Sequence, residues 1–212
     1  NPLNDGIDIP HAFVYVEDLG KGIQDLKDKG ITTYAAHLEG TNSYDETYET
    51  LRYTSKRAKL EDQVVAAAVA AGVDGINLDF ELISSKCGVH YVQLVRELSV
   101  KCHQNNLVFS VDNYVPQSYN SHYDLKEQGI VADYVVIMAY DEHTEGSYEA
   151  GSVASISYLQ DGIEKTLKKV SADKVIAGIP FFTRLWFETA KSRSNFRKKL
   201  VQKQHLIRIS IK

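Results

Sequence analysis

Short apolar, β-branched runs alternate along this chain with longer amphipathic stretches. The pattern predicts strands at residues 12–16, 31–38, 73–80, 107–111, 134–138 and 175–179, with helices between them. A helix over 21–29 is expected to stop at Gly30 and one over 51–71 at Gly72, since glycine just past a helix suits the left-handed cap. Val89, Val92, Val95 and Leu98 recur at threes and give the next helix one apolar face ahead of the Asn105-Asn106 turn. A short helix over 123–128 is closed by Gly129, and residues 155–169 carry Leu159, Ile163 and Leu167 at fours. Repeated strand–helix units predict a parallel sheet, because parallel neighbours need a helical crossover. Six such strands fit an open doubly wound sheet or a (β/α)8 barrel with units missing. No GxGxxG follows the first strand and no GxxxxGK[ST] occurs, so the nucleotide-binding open sheets lack their fingerprint. Periodicity alone leaves barrel and open sheet undecided.

Composition narrows the class. The 212 residues are 43% hydrophobic and 25% charged, which is ordinary for one globular domain with a sizeable core. No apolar run approaches the roughly 18 residues needed to span a membrane. The opening NPLNDGIDIP has neither the basic start nor the apolar stretch of a secretion signal, so the chain reads as a trimmed or internal piece. The formal charge of −4 is unevenly spread: residues 189–212 hold eight Lys or Arg and no acid, leaving 16 basic against 28 acidic residues in the rest. A body this acidic argues against nucleic-acid binding. The tail is either an anion-binding surface or a disordered, non-native end. Residues 1–188 are therefore read as the folded domain and 189–212 as a basic tail of unclear structure. Cys87 and Cys102 flank a predicted helix that would hold them roughly 22 Å apart, too far for a disulfide, so free thiols are expected. The seven histidines show no HExxH or paired spacing, so neither a metal nor a cofactor is expected.

Chemistry separates barrel from open sheet. From Gly75 onward the segment GINLDFE alternates strictly: Ile76, Leu78 and Phe80 point to one face, Asn77, Asp79 and Glu81 to the other. Both faces of a parallel sheet are normally buried and apolar. Three polar groups on one of them are unfavourable unless hydrogen-bonded or functional. The bland alternative is an edge strand with incidental carboxylates facing solvent, but the apolar opposite face and the mid-chain position weigh against it. Glu81 falls at the strand's C-terminal end, where barrel enzymes keep their chemistry. Asp79, about 7 Å away along the strand, is expected to disfavour ionisation of Glu81, as a general acid requires.

The run Asp74-Gly75-Ile76-Asn77-Leu78-Asp79-Phe80-Glu81 resembles the DxxDxDxE signature of glycoside hydrolase family 18, the chitinase-like family with a (β/α)8 barrel. Two later segments agree with it in order: Met138-Ala139-Tyr140-Asp141 is similar to the family's M-x-Y-D strand end, and Gly178-Ile179-Pro180-Phe181-Phe182-Thr183-Arg184 resembles its G-x-P-[FY]-[YF]-x-R segment. The stretch YDEHTEGSYEAGSVASISYLQDGIEKTL with PFFTRLW looks closest to the bacterial branch acting on spore or cell-wall peptidoglycan. The resemblance spans roughly residues 20 to 188 and implies a TIM-type barrel that is incomplete, about six of eight strands being recognisable, with 74–81 as the fourth. The chain departs from the pattern in two ways. The middle acid of DxxDxDxE is Asn77, which removes one carboxylate from the strand's inner row and should change how Asp79 shares protons. The first and eighth strands have no matched segment, although Ile207, Ile209 and Ile211 alternate and could form an improvised strand.

The resemblance assigns roles residue by residue. Glu81 would protonate the glycosidic oxygen and then act as base toward water. Asp79 would orient the substrate's acetamido group, whose own oxygen serves as nucleophile in this family, and the Tyr140 hydroxyl would reach the same oxygen. Each substrate-binding candidate keeps a plainer reading. Asp141 either binds a sugar hydroxyl or caps its loop. Phe182, Arg184 and Trp186 either line a sugar cleft or pack in the core. Asn77 is expected to hydrogen-bond Asp79, and Asp74 to tie down the strand's start. The implied function is a retaining N-acetylglucosaminidase acting on peptidoglycan or chitin-like glycan, outside the cell in the wall or spore, with no membrane or nucleic-acid partner. The alternatives are a carbohydrate-binding barrel that has lost catalysis, against which the presence of Glu81 counts, and an inactive truncated fragment.

Overall fold

A computed structural model describes residues 11–15, 28, 32–39, 44–186 and 205–206. Strands β1 (His11–Tyr15), β2 (Thr32–Glu39), β3 (Gly75–Phe80), β4 (Val108–Tyr114), β5 (Tyr134–Met138) and β6 (Val175–Gly178) form one sheet, parallel throughout. Their spatial order is their order in the chain, with no point at which the winding reverses. Doubly wound sheets need such a reversal, so the sheet is barrel-like. β1 and β6 do not pair with each other, which leaves an incomplete barrel among the described residues. A two-residue strand β7 (Phe182–Thr183) pairs antiparallel with β8 (His205–Leu206).

Helices cover the outer face. They are α1 (Tyr44–Leu51), α2 (Thr54–Ala71), α3 (Gly88–Gln104), α4 (Leu125–Val131) and α5 (Ile156–Leu167). The apolar side of β3 meets them: Ile76, Leu78 and Phe80 are buried, together with Phe109 and Val111 of β4 and Val135 and Ile137 of β5. α3 presents Tyr91, Leu94, Val95, Leu98 and Cys102 to this layer. Val89 does not belong to that stripe and is 75% exposed; steps of three lag behind the 3.6-residue turn, and the buried stripe follows the three-and-four spacing instead. Arg57 pins α2 to α3, donating from Nε and Nη2 to Glu97 at 2.8 and 3.1 Å and from Nη1 to the Leu51 carbonyl at 2.7 Å. That contact holds Glu97 below the usual carboxylate range. Burial pushes neighbouring Glu61 in the opposite direction, against the Lys101 ammonium 2.9 Å away.

Gly72 ends α2 as expected, at φ 67°, with Gly72 N donating to Val69 O and Val73 N to Ala68 O. The stretch read as one helix from residue 51 is two, broken at Arg52-Tyr53. Gly129 does not close α4 but lies inside it. A Cβ there would sit 2.9 Å from Val170 Cγ2, so its role is close approach and the helix runs on to Val131. Cys87 and Cys102 are free and buried, and burial pushes the Cys102 thiol up to about 12. No helix among the described residues is long and apolar enough to cross a membrane. The helix read to Gly30 lies outside the described residues except for Asp28, and so do Ile207, Ile209 and Ile211.

Candidate active site

The inner face of the sheet is set by strand register. Asn77 of β3 pairs with Ser110 of β4, and Ser110 with Tyr134 of β5. Paired residues share a face and alternate residues repeat it, so Asp79 and Asp112 come next on that face and Glu81 and Tyr114 after them. The hydrogen bonds follow this ladder. Ser110 Oγ donates to Asn77 Oδ1 at 2.6 Å, Asn77 Nδ2 donates to Asp112 Oδ2 at 2.9 Å, and Tyr114 Oη donates to Glu81 Oε2 at 2.8 Å. The outward residue between them, Asn113, exchanges two hydrogen bonds with Gln128 of α4.

Glu81 stands just past the end of β3, as expected, and two tyrosines hold the backbone around it. Leu82 adopts φ 54°, a left-handed conformation that a branched side chain disfavours. Its N–H donates to Tyr114 Oη at 3.1 Å, so one phenol braces both the turn and the carboxylate. Tyr123 does the same one step further on, accepting from Ile83 N and donating to Phe80 O, each at 3.1 Å. The two rings meet edge-on with centroids 6.0 Å apart.

Behind Glu81 the carboxyl row is half-buried. Burial and the Glu81 carboxylate push Asp79 up to about 6, and burial and Asp79 push Asp112 up to about 7 against a smaller opposing effect of the Asn77 amide. Asp79 Oδ1 and Asp112 Oδ1 are both buried without a hydrogen-bond partner among the described residues. The expected Asn77–Asp79 hydrogen bond is not formed. Asn77 spends its amide on Ser110 and Asp112 and is 3% exposed, because β4 supplies nearer partners across the ladder than β3 does along itself.

Tyr140 joins this row from the end of β5. Its phenol is raised by burial first and then by Asp112, Asp79, Glu81 and Asp141. Gly178 lies against it: a Cβ there would make an ordinary 3.5 Å contact with Tyr140 Cε1 and a tight 3.2 Å one with the Ile137 carbonyl oxygen. Phe182 packs edge-on to Tyr140, with centroids 6.3 Å apart. Asp141 turns out of the strand at φ 60° and accepts from Arg184 Nη2 at 2.6 Å. Arg184, whose side chain is 8% exposed, also donates to His143 O at 2.9 Å. Trp186 Nε1 donates to Gly151 O at 2.8 Å. Arg184 and Trp186 thus brace the loop that follows β5, and Glu142 closes that loop by accepting from Ser152 and Ser155.

Of the residues singled out in the sequence, Glu81, Asp79, Tyr140 and Phe182 come together at the C-terminal ends of β3 to β6, with Asn77 beneath them and Asp141 beside them, clamped by Arg184. Asp112 and Tyr114 escape the sequence reading because the predicted strand stops at Val111 and β4 runs on to Tyr114, and Tyr123 because it reaches Phe80 and Ile83 from a separate turn. No group of three His, Cys, Asp or Glu residues suited to a metal ion occurs among the described residues.

An acid at a strand's C-terminal end, a half-buried carboxyl behind it and a tyrosine on the neighbouring strand make a site for proton transfer to a bound substrate. The model for Glycosyl hydrolases family 18 matches residues 22–208. The chain belongs to this family. Among curated relatives it is 29% identical over 196 residues to a Bacillus subtilis protein named as an uncharacterized glycosylase, YvbX, covering 84% of this chain and 56% of that protein. It is 28% identical over 160 residues to a B. subtilis protein named as a sporulation-specific glycosylase, YdhD, covering 74% and 38%. The chain spans about half the length of these relatives or less. The crystal structure of YdhD superposes with a TM-score of 0.76 at 25% identity, over 86% of this chain and 61% of that one. A chitinase from Chromobacterium violaceum superposes with a TM-score of 0.69 at 25% identity, over 76% and 53%. For a family-18 chain, a barrel with a glutamate at the end of β3 is the arrangement that the DGINLDFE run leads one to expect.

Proposed function

We propose that this protein is a retaining glycoside hydrolase that cleaves β-linked N-acetylglucosamine in peptidoglycan or chitin-like glycans, with the substrate's acetamido oxygen as nucleophile. The observation that carries this reading is Glu81 at the end of β3, held through Oε2 by Tyr114, with Asp79 on the same face behind it. In the first step Glu81 gives its proton to the glycosidic oxygen. The bond from that oxygen to the anomeric carbon breaks as the acetamido oxygen bonds to the same carbon. Asp79, ionised, stabilises the positive charge that spreads over the acetamido group, and the Tyr140 hydroxyl donates to it. In the second step Glu81 takes a proton from water, which adds to the anomeric carbon and reopens the ring, so the configuration is retained. Asp141, presented by the Arg184 clamp, and the Phe182 and Trp186 rings would contact flanking sugars, and Asn77 acts from beneath by holding Asp112. Family membership and the sporulation-specific name of a relative support action on the wall or spore. The division into a barrel at 1–188 and a basic tail at 189–212 belongs to the same reading.

The test is hydrolysis of matched N-acetylated and deacetylated oligosaccharides, with the product anomer read by NMR. Cleavage confined to the acetylated substrate, giving the retained anomer, is expected. Efficient cleavage of the deacetylated substrate, or an inverted product, would show that a protein carboxylate attacks instead. Binding of both without cleavage would identify a carbohydrate-binding barrel.

A further inference from the structure

β3 carries an amide, Asn77, in the row where two acids follow, and that amide is not free to choose its partner. Ser110 Oγ donates to Asn77 Oδ1 at 2.6 Å, which leaves Nδ2 to face β4, where Asp112 Oδ2 accepts it at 2.9 Å. Asp112 lies next to Asp79 on the shared face, one step beyond the paired residues Leu78 and Val111, with strands about 4.8 Å apart.

We propose that Asp112 supplies from the neighbouring strand the acid that β3 lacks at Asn77: it is a positioning residue that holds a proton beside Asp79 and is locked in place through Asn77. A buried carboxylate needs donors or a cation to stay ionised. Asp112 receives one neutral amide, and its Oδ1 is buried without a partner among the described residues. The titratable groups that face it are Asp79 and Glu81 from β3, Tyr140 from beyond β5 and Tyr91 from α3, with Tyr114 on its own strand; each is acidic or phenolic. Nothing in this set compensates a charge on Asp112, and burial with Asp79 pushes it up to about 7. The consequence is a division of labour. With Asp112 neutral, Asp79 can carry the charge that an oxazolinium-like centre requires. Asp79 and Asp112 then titrate together, and once Asp112 ionises at higher pH its charge stands beside that of Asp79 and the division of labour is lost.

The kinetic consequence rests on the proposed hydrolase function, whereas the protonation state does not, so the experiment has two arms. In the first, carbon-13 NMR follows the aspartate carboxyls of the protein with pH, the Asp112 signal being assigned through Asp112→Asn. Asp112 is expected to titrate near neutrality, and its midpoint to fall in Asp79→Asn, where a facing charge is gone. An Asp112 carboxyl already ionised at pH 5 overturns the proposal whether or not the protein hydrolyses anything. The second arm measures pH–rate profiles on a chitooligosaccharide. Asp112→Ala should lower kcat about tenfold or more, and Asp112→Asn, whose amide oxygen can still accept from Asn77, should recover part of that loss. The basic limb of Asp112→Asn should move to higher pH, because the group whose ionisation ends the division of labour can no longer ionise. A limb that stays in place would reduce Asp112 to a structural contact and sink the proposal. If the unaltered protein cleaves no glycan, the function has failed and the first arm still decides the state of Asp112.

Discussion

Replacing Tyr114 by phenylalanine removes one oxygen from the site and leaves its ring in place against Tyr123. That oxygen makes two contacts of different weight. It accepts from Leu82 N at 3.1 Å in an exposed turn, where water can take over, so the net loss of stability should be about 1 kcal/mol or less. For a chain of this size that is a melting shift of roughly 2–4 °C. The other contact is the 2.8 Å hydrogen bond donated to Glu81. As Glu81 gives up its proton it becomes a carboxylate, and a hydrogen bond to a charged group is worth about 1.5–3 kcal/mol. At about 1.4 kcal/mol per factor of ten, Tyr114→Phe should cost roughly ten- to a hundredfold. The loss belongs in kcat rather than KM, because the contact strengthens in the transition state. The assay is steady-state hydrolysis of a fluorogenic chitooligosaccharide beside thermal unfolding. With a more acidic aryl leaving group, which needs less protonation, the defect should shrink. A kcat within twofold of the parent at an unchanged melting temperature would refute the idea that Tyr114 holds the acid.

Glu81→Gln keeps the shape of the side chain and removes its proton, so hydrolysis should fall by about 10²- to 10⁴-fold while glycan binding and melting temperature persist; a wild-type rate would end the assignment. Arg57→Ala strips the partner from Glu97 and leaves the Leu51 carbonyl unpaired, at a cost of about 3 kcal/mol given that Glu97 is partly exposed. Thermal unfolding should register a drop of roughly 6–12 °C, and a drop under 2 °C would show that the pair contributes little. The pH dependence of that difference has a definite sign. Arg57 lowers Glu97 in the folded state, so the stability it confers is present above the unfolded value and is lost as pH falls toward the folded one; the gap between Arg57→Ala and the parent should therefore close in acid. Asp112 behaves oppositely. Raised to about 7, it leaves stability unpenalised below an unfolded value of about 3.9 and withdraws it as pH rises to neutrality. Asp112→Asn should accordingly gain on the parent between pH 4 and 8 in chemical denaturation, and a constant difference would contradict the raised value.

What could be read from the chain and what could not divide along one physical line. The period of two is local, so the alternation from Ile76 to Glu81 fixed which side chains share a face before any neighbour was known. The same holds for the six strands of the sheet and for Gly72, whose left-handed cap depends only on its own backbone. Register is not local. Nothing within β3 says which residue of another strand will stand beside Asn77, so the chain alone points to Asp79, the nearest acid in sequence, whereas the hydrogen bond goes to Asp112. The end of β4 was hidden for a related reason. Asp112-Asn113 is a pair depleted in strands and favoured in turns, and Pro116 follows shortly after. It remains a strand because each polar side chain has a tertiary partner: Asn113 has Gln128 on the outer face, and Asp112 and Tyr114 have Asn77 and Glu81 on the inner one. Arg184 and Trp186 show the same limit, since the sequence gives no sign of which loop they brace, and only the positions of His143 and Gly151 reveal it. When a strand that carries a row of acids is found, the next strand's polar residues of matching parity become candidates for the same site, even where propensity ends that strand too soon. Applied to β4 from Ser110 onward, that rule selects Asp112 and Tyr114.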